Sequence, residues 1–81
     1  MSLEFSELNV GDQACISRID FNYAPKGHKL MMMGLTPGTL LSVVRVAPLG
    51  DPIEINIRGF NLSLRREEAK GLWVEKSGVS L

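Results

Sequence analysis

The sequence predicts a small, mainly β domain, a barrel of about five short strands with one short inserted α-helix and a further helical turn. Three observations carry this. Ile53, Ile55 and Ile57 alternate with Glu54, Asn56 and Arg58, a period of two that gives a strand one apolar face. Phe60, Leu62 and Leu64 repeat that period against Asn61, Ser63 and Arg65. Gly and Pro fall between the apolar runs, where turns are needed.

The elements follow in order. Leu3-Glu4-Phe5-Ser6-Glu7-Leu8 reads as a short lead-in, and Asn9-Val10-Gly11-Asp12 as a turn. Ala14, Ile16 and Arg18 alternate with Cys15, Ser17 and Ile19, a first strand whose two faces are not sharply different. Pro25 to Met33 is the best helix, because Pro suits a first helical turn, where its missing N–H has no partner to lose. Leu30 and Met33 share one face of it, and Gly27 weakens it. Gly34 ends it, since glycine takes the left-handed conformation without a Cβ clash. Pro37 and Gly38 then turn the chain.

Leu40 to Ala47 is a Leu- and Val-rich strand. Pro48 and Pro52 bracket a Gly50-Asp51 corner that suits a hairpin into the isoleucine strand. Gly59, after Arg58, allows a tight corner or bulge before Phe60. Arg66-Glu67-Glu68-Ala69-Lys70 makes one helical turn, stopped by Gly71. Leu72-Trp73-Val74-Glu75 is a last strand, and Lys76 to Leu81 a frayed tail. Closing these strands into a barrel removes exposed edges. An SH3-like barrel is the first expectation; strand count alone also allows an OB-like one.

The chain has 81 residues, enough for one domain with its core over about 8–75. At 44% apolar it can build one small core, to which dimerisation or a partner can add stability. The formal net charge is zero, which counts against broad nucleic-acid binding and against a polybasic membrane anchor. The single cysteine, Cys15, allows no internal disulfide and fits a reducing compartment. Glu4 and Glu7 stand where a signal peptide needs basic residues, and no apolar run approaches the roughly 20 residues of a membrane span. The expectation is a cytoplasmic protein without direct membrane insertion.

The order of these pieces resembles the FeoA family of bacterial ferrous-iron uptake. The residues that carry the resemblance are Leu8, Gly11, Ala14, Ile16 and Ile19, then Leu30, Gly34, Leu35, Pro37 and Gly38. They continue with Val44-Arg45-Val46-Ala47-Pro48-Leu49-Gly50-Asp51-Pro52-Ile53, Arg58-Gly59, Leu62 and Leu64-Arg65-Arg66-Glu67-Glu68-Ala69. The resemblance implies an SH3-like fold and an accessory role beside the FeoB permease, on or near its cytoplasmic GTP-binding region. The same fold occurs as a C-terminal domain of DtxR-like repressors, but this chain has no room for a helix-turn-helix. The Met31-Met32-Met33 run departs from the family pattern.

That run is also the first candidate site. Consecutive helical residues point about 100° apart, so all of the methionines cannot face the core. Met31 or Met32 is then exposed, and exposed methionine is adaptable enough to suit a binding surface; the plainer reading is gap-filling at the barrel rim. The face expected to meet FeoB is therefore the helix end, Leu30, Met31, Met32 and Leu35, with Leu49 and Asp51 of the hairpin and Arg58. Arg58, Arg65 and Arg66 sit near strand ends, where they can meet an acidic partner or simply pair with Glu67 and Glu68.

Metal chemistry has little to work with. One His28 and one Cys15 cannot build a closed four-ligand site, and His28 lies between Lys26 and Lys29. An open Fe(II) site using His28 with Asp20, Asp51 or Glu54 is the basis of an alternative reading, a metal sensor that changes oligomeric state. No nucleophile motif and no phosphate-binding G-x-x-x-x-G-K-[ST] loop is present, so neither catalysis nor a cofactor is expected. A nucleic-acid-binding barrel is disfavoured by the scattered aromatics Phe5, Phe21, Tyr23, Phe60 and Trp73. A homodimer remains compatible with the sequence.

Overall fold

The inward residues of the strands are spaced two apart except at two places, and those exceptions shape the fold. In the computed structural model, which describes residues 2–76, the strands are β1 (Ser2–Glu4), β2 (Gln13–Ile19), β3 (Leu40–Val46), β4 (Ile53–Ile57), β5 (Phe60–Leu64) and β6 (Leu72–Lys76). One helix, α1 (Gly27–Met32), lies between β2 and β3, and a 3-10 turn (Phe5–Glu7) follows β1. The strands form one antiparallel sheet in the order β1-β6-β2-β3-β4-β5. On β4, Ile53, Ile55 and Ile57 are all within 1% of complete burial, as their strict alternation requires.

The two exceptions are β-bulges. The register shifts between Ile16 and Arg18 opposite β6, and between Val43 and Arg45 opposite β4. An extra residue bends a strand and increases its twist. In β2 it turns Ile19 back to the core beside Ala14 and Ile16, which resolves the mixed alternation of that segment.

β1 is an addition to the predicted strands. The lead-in pairs with β6, Ser2 to Glu75 and Glu4 to Trp73, and drops Phe5 and Leu8 into the core at 0% and 2% exposure. α1 is shorter than predicted. Pro25 lies in the turn before it, and the chain enters the helix only after Lys26, whose φ of −112° is not helical. Gly27 is needed there, because a Cβ would stand 2.7 Å from the Phe21 ring. At the other end, Lys76 belongs to β6; the rest of the predicted tail, 77–81, lies outside the described residues.

The end of α1 is a Schellman motif. Gly34 has φ +92°, its N–H donates to Met31 O at 3.0 Å, and the Leu35 N–H donates to Leu30 O at 3.1 Å. That motif sets the residue after the glycine against the residue starting the last turn. Leu30 and Leu35 are accordingly both 0% exposed.

The sheet is drawn into a barrel by its two ends. After β5, the Arg66 side chain donates from Nε to Gly50 O at 2.6 Å and from Nη1 to Ser6 O at 2.8 Å. It ties the β3–β4 loop and the segment after β5 to the segment after β1. The turn that follows carries an Ala69 N–H to Arg65 O bond at 3.1 Å, the predicted single helical turn. Gly71 ends it at φ +86°, packed so closely on Ala24 that a Cβ would stand 2.6 Å from the Ala24 Cβ.

Candidate partner-binding face

β4 has two ends, and the predicted partner residues divide between them. At the Ile57 end, the two-residue hairpin Arg58-Gly59 has φ +50° and +90°, the mirror-image turn that matches strand twist. Gly34, at the close of α1, lies against the Ile57 side chain. Thr39, 5% exposed, links these parts: its Oγ1 donates to Gly34 O at 3.2 Å and receives the Arg58 Nη2 at 3.5 Å. Helix end and hairpin tip thus form one corner of the barrel.

Met31 and Met32 occupy that corner at 40% and 86% exposure. Leu30 and Leu35 do not contribute surface. The Schellman packing turns them inward, which corrects the expectation that they meet a partner. Met33 is partly buried against the core, as predicted for the residue sharing a face with Leu30.

Two residues that sequence reasoning missed join the corner. Leu40 is 65% exposed and Phe60 51%. Leu40 is outward because Leu41 pairs with Ile57 and points inward, a choice between adjacent leucines that the sequence leaves undecided. Phe60 closes the tip opposite Ile57, where the sheet ends, and among the described residues it stays half exposed. Beside them, Gln13, Leu40, Ser42, Asn56 and Arg58 border a shallow groove of about 290 Å³. The corner therefore gathers adaptable apolar side chains beside the Arg58 guanidinium.

Leu49 and Asp51 lie at the Ile53 end, where the loop 47–52 joins β3 to β4. Four residue steps along β4 separate the two ends, roughly 13 Å at the rise of a strand. The Pro-bracketed loop is the predicted hairpin, closed by Gly50 N–H to Ala47 O at 2.7 Å and Ala47 N–H to Pro52 O at 3.1 Å. Leu49 at its apex is 97% exposed. Asp51 faces its own chain: Oδ1 accepts the Arg66 N–H at 2.8 Å and Oδ2 lies 3.8 Å from Arg65 Nη1.

The remaining arginines and acids also have local roles. Arg66 is the barrel clamp described above. Glu68 pairs with Lys29 of α1, at 2.7 Å, rather than with the neighbouring arginine side chains. The Lys29 hydrogen bond, with a second from the Arg65 N–H, holds the Glu68 carboxyl below its ordinary range. His28 packs its ring on Phe21, with centroids 5.6 Å apart. Among the described residues, no three His, Cys, Asp or Glu side chains converge as a metal site. Among them, too, no helix is long and apolar enough to cross a membrane.

Known proteins share this arrangement. The sequence profile described as the FeoA domain matches residues 3–76. A curated relative from Porphyromonas gingivalis, an Fe(2+) transport protein A/Fe(2+) transporter FeoB fusion protein, is 40% identical over 73 residues. That match covers 90% of this chain but only 8% of the relative's length. The solution structure of the FeoA protein from Chlorobium tepidum superposes with a TM-score of 0.77 at 42% identity, covering 91% of this chain and 70% of that one. The FeoA of Stenotrophomonas maltophilia, solved with zinc and described as a prokaryotic SH3 domain protein, gives 0.71 at 27% identity, covering 93% and 89%. With an SH3-like barrel and a profile match over nearly all of its length, this chain belongs to the FeoA family of ferrous-iron transport.

Proposed function

We propose that the chain is a non-enzymatic accessory protein of ferrous-iron uptake that binds the cytoplasmic part of FeoB. The observation that supports this most is the Porphyromonas gingivalis relative, in which a domain like this one is joined covalently to the transporter. Tethering raises the effective concentration of two modules that must meet, to millimolar for short flexible linkers. Where the two modules are separate chains, affinity has to supply that proximity instead. The corner of Met31, Met32, Leu40 and Arg58 is the surface of this chain best fitted to provide it. Leu49, alone at the other end of β4, is a second contact point to be weighed against that corner.

Binding changes the permease only if the domain prefers one state of it over another. The chain has no phosphate loop of its own, so its effect on the GTPase cycle is exerted through FeoB. It works in the cytoplasm and reaches the membrane through its partner. The metal-sensing alternative draws no support from the described residues, since no ligand cluster forms among them.

The test is the affinity of the chain for the purified cytoplasmic region of FeoB. Met32→Asp and Arg58→Glu each weaken binding about tenfold, the effect of losing a warm or hot contact. Both residues are exposed, and the folded state is checked by circular dichroism. If Leu49→Asp alone weakens binding, the loop end is the contact instead. If none of these changes alters the affinity of a folded protein, the assignment of this face is wrong. If wild type does not bind FeoB at all, the accessory reading falls with it.

A further inference from the structure

β5 is the last strand of the sheet, and the two-residue hairpin fixes which of its groups face outward. Ile57 and Phe60 close that hairpin as a hydrogen-bonded pair, and Ile55–Leu62 and Ile53–Leu64 follow in the same phase. The N–H and C=O groups of Asn61 and Ser63 therefore point away from β4. Among the described residues, no loop or turn bonds to them.

Proteins guard such edges with charges, proline or a bulge. β5 has none of these: it reads Phe-Asn-Leu-Ser-Leu in unbroken register with β4. The Asn61 side chain is also turned away from the edge. Its Oδ1 accepts the Asn56 Nδ2 at 2.9 Å, and its Nδ2 donates to Glu54 Oε2 at 3.3 Å. The opposite edge differs. β1 carries a charge at Glu4, and its Ser2 hydroxyl is bonded to Glu75.

We propose that β5 pairs antiparallel with β5 of a second copy of this chain, about a two-fold axis at Leu62. The segment is its own complement in that register. Asn61 faces Ser63 of the second copy, and each such pair exchanges both of its N–H···O bonds. The outer face then sets amide against hydroxyl. The inner face sets Leu62, partly buried in the single copy, against Leu62; Leu64 is already enclosed by its own core, so half-exposed Phe60 meets only the backbone beside it. Arg65 falls opposite Gly59, and Arg66, the next residue, is held by Gly50 O and Ser6 O of its own chain rather than aimed across at Arg58. A five-residue edge makes a small interface, below about 1,200 Å², and the dimer is correspondingly weak and reversible. The two hairpin tips point in opposite directions, which leaves Met31, Met32 and Leu40 off the joint.

The experiment is sedimentation of the 81-residue chain from micromolar to millimolar concentration. The expected result is a reversible monomer–dimer equilibrium that goes no further. Ser63→Pro removes an outward N–H without touching the β4 ladder, and weakens the dimer roughly tenfold or more. Ser63→Lys, on the exposed face, weakens it by charge and is the check if the proline disturbs folding. Tyr23→Ser, exposed beside β6 and away from β5, leaves the equilibrium unchanged. A chain that stays monomeric at millimolar concentration overturns the proposal. So does a dimer indifferent to both Ser63 variants, or assembly beyond the dimer, which is the signature of head-to-tail pairing through another edge.

Discussion

Removing the guanidinium of Arg66 should loosen the barrel more than any other single surface change. Arg66→Met keeps the apolar stem and deletes the donors to Gly50 O (2.6 Å) and Ser6 O (2.8 Å). Each is a charge-assisted bond to a carbonyl on a different part of the chain, and Arg66 is only partly exposed. Water reaching the partly exposed side chain screens both bonds down to about 0.5–1.5 kcal/mol each, a loss of about 1–3 kcal/mol. In a domain of this size each kcal/mol moves the melting temperature by roughly 4–8 °C. Urea denaturation and a thermal melt both measure it. Arg65→Met is the control. That side chain is 67% exposed and meets Asp51 only at 3.8 Å, so its loss should stay within about 0.5 kcal/mol. If the two variants are equally stable, Arg66 does not close the barrel and the reasoning fails.

Two further outcomes follow from the same structure. Gly71→Ala should cost more than Gly11→Ala, although both positions have positive φ, because only at Gly71 does a Cβ meet Ala24, at 2.6 Å; the φ strain alone is about 1–3 kcal/mol, and equal losses in urea denaturation would refute the packing argument. Glu68 should titrate below an ordinary carboxylate in an NMR pH series, and Lys29→Met should return it upward. Because its folded pKa is lowered, the stability it lends is present above its unfolded pKa and is lost as pH falls through the folded value; an unmoved Glu68 in the variant would remove Lys29 as the cause.

Much of the fold was legible because the strands obey simple geometry. Ile53, Ile55 and Ile57 can face one way only in a strand, and Arg58-Gly59 can turn only where φ is positive. Gly34 after the methionines marked the helix end correctly. Reading one residue further would have placed Leu30 and Leu35 inside, since the Schellman motif pairs them. β1 was missed because a three-residue strand has no measurable period, and its existence depends on β6, some seventy residues away.

The sequence by itself determined the strand pattern, the turn positions and the FeoA resemblance, because these rest on residue-by-residue φ preference and on which side chains leave water. Only the tertiary structure decided which apolar residues stayed outside. Leu40 and Leu41 are chemically alike, and Phe60 looks like any strand aromatic, yet Leu41 is 3% exposed and the other two at least half exposed. That difference comes from the register of β3 on β4 and from where the sheet stops. The same holds for Arg58 and Arg66: one reaches Thr39 at the corner between α1 and the β4–β5 hairpin, and the other bonds backbone carbonyls brought together from distant parts of the chain. Such pairings exist only once the sheet has curled, so no local pattern encodes them.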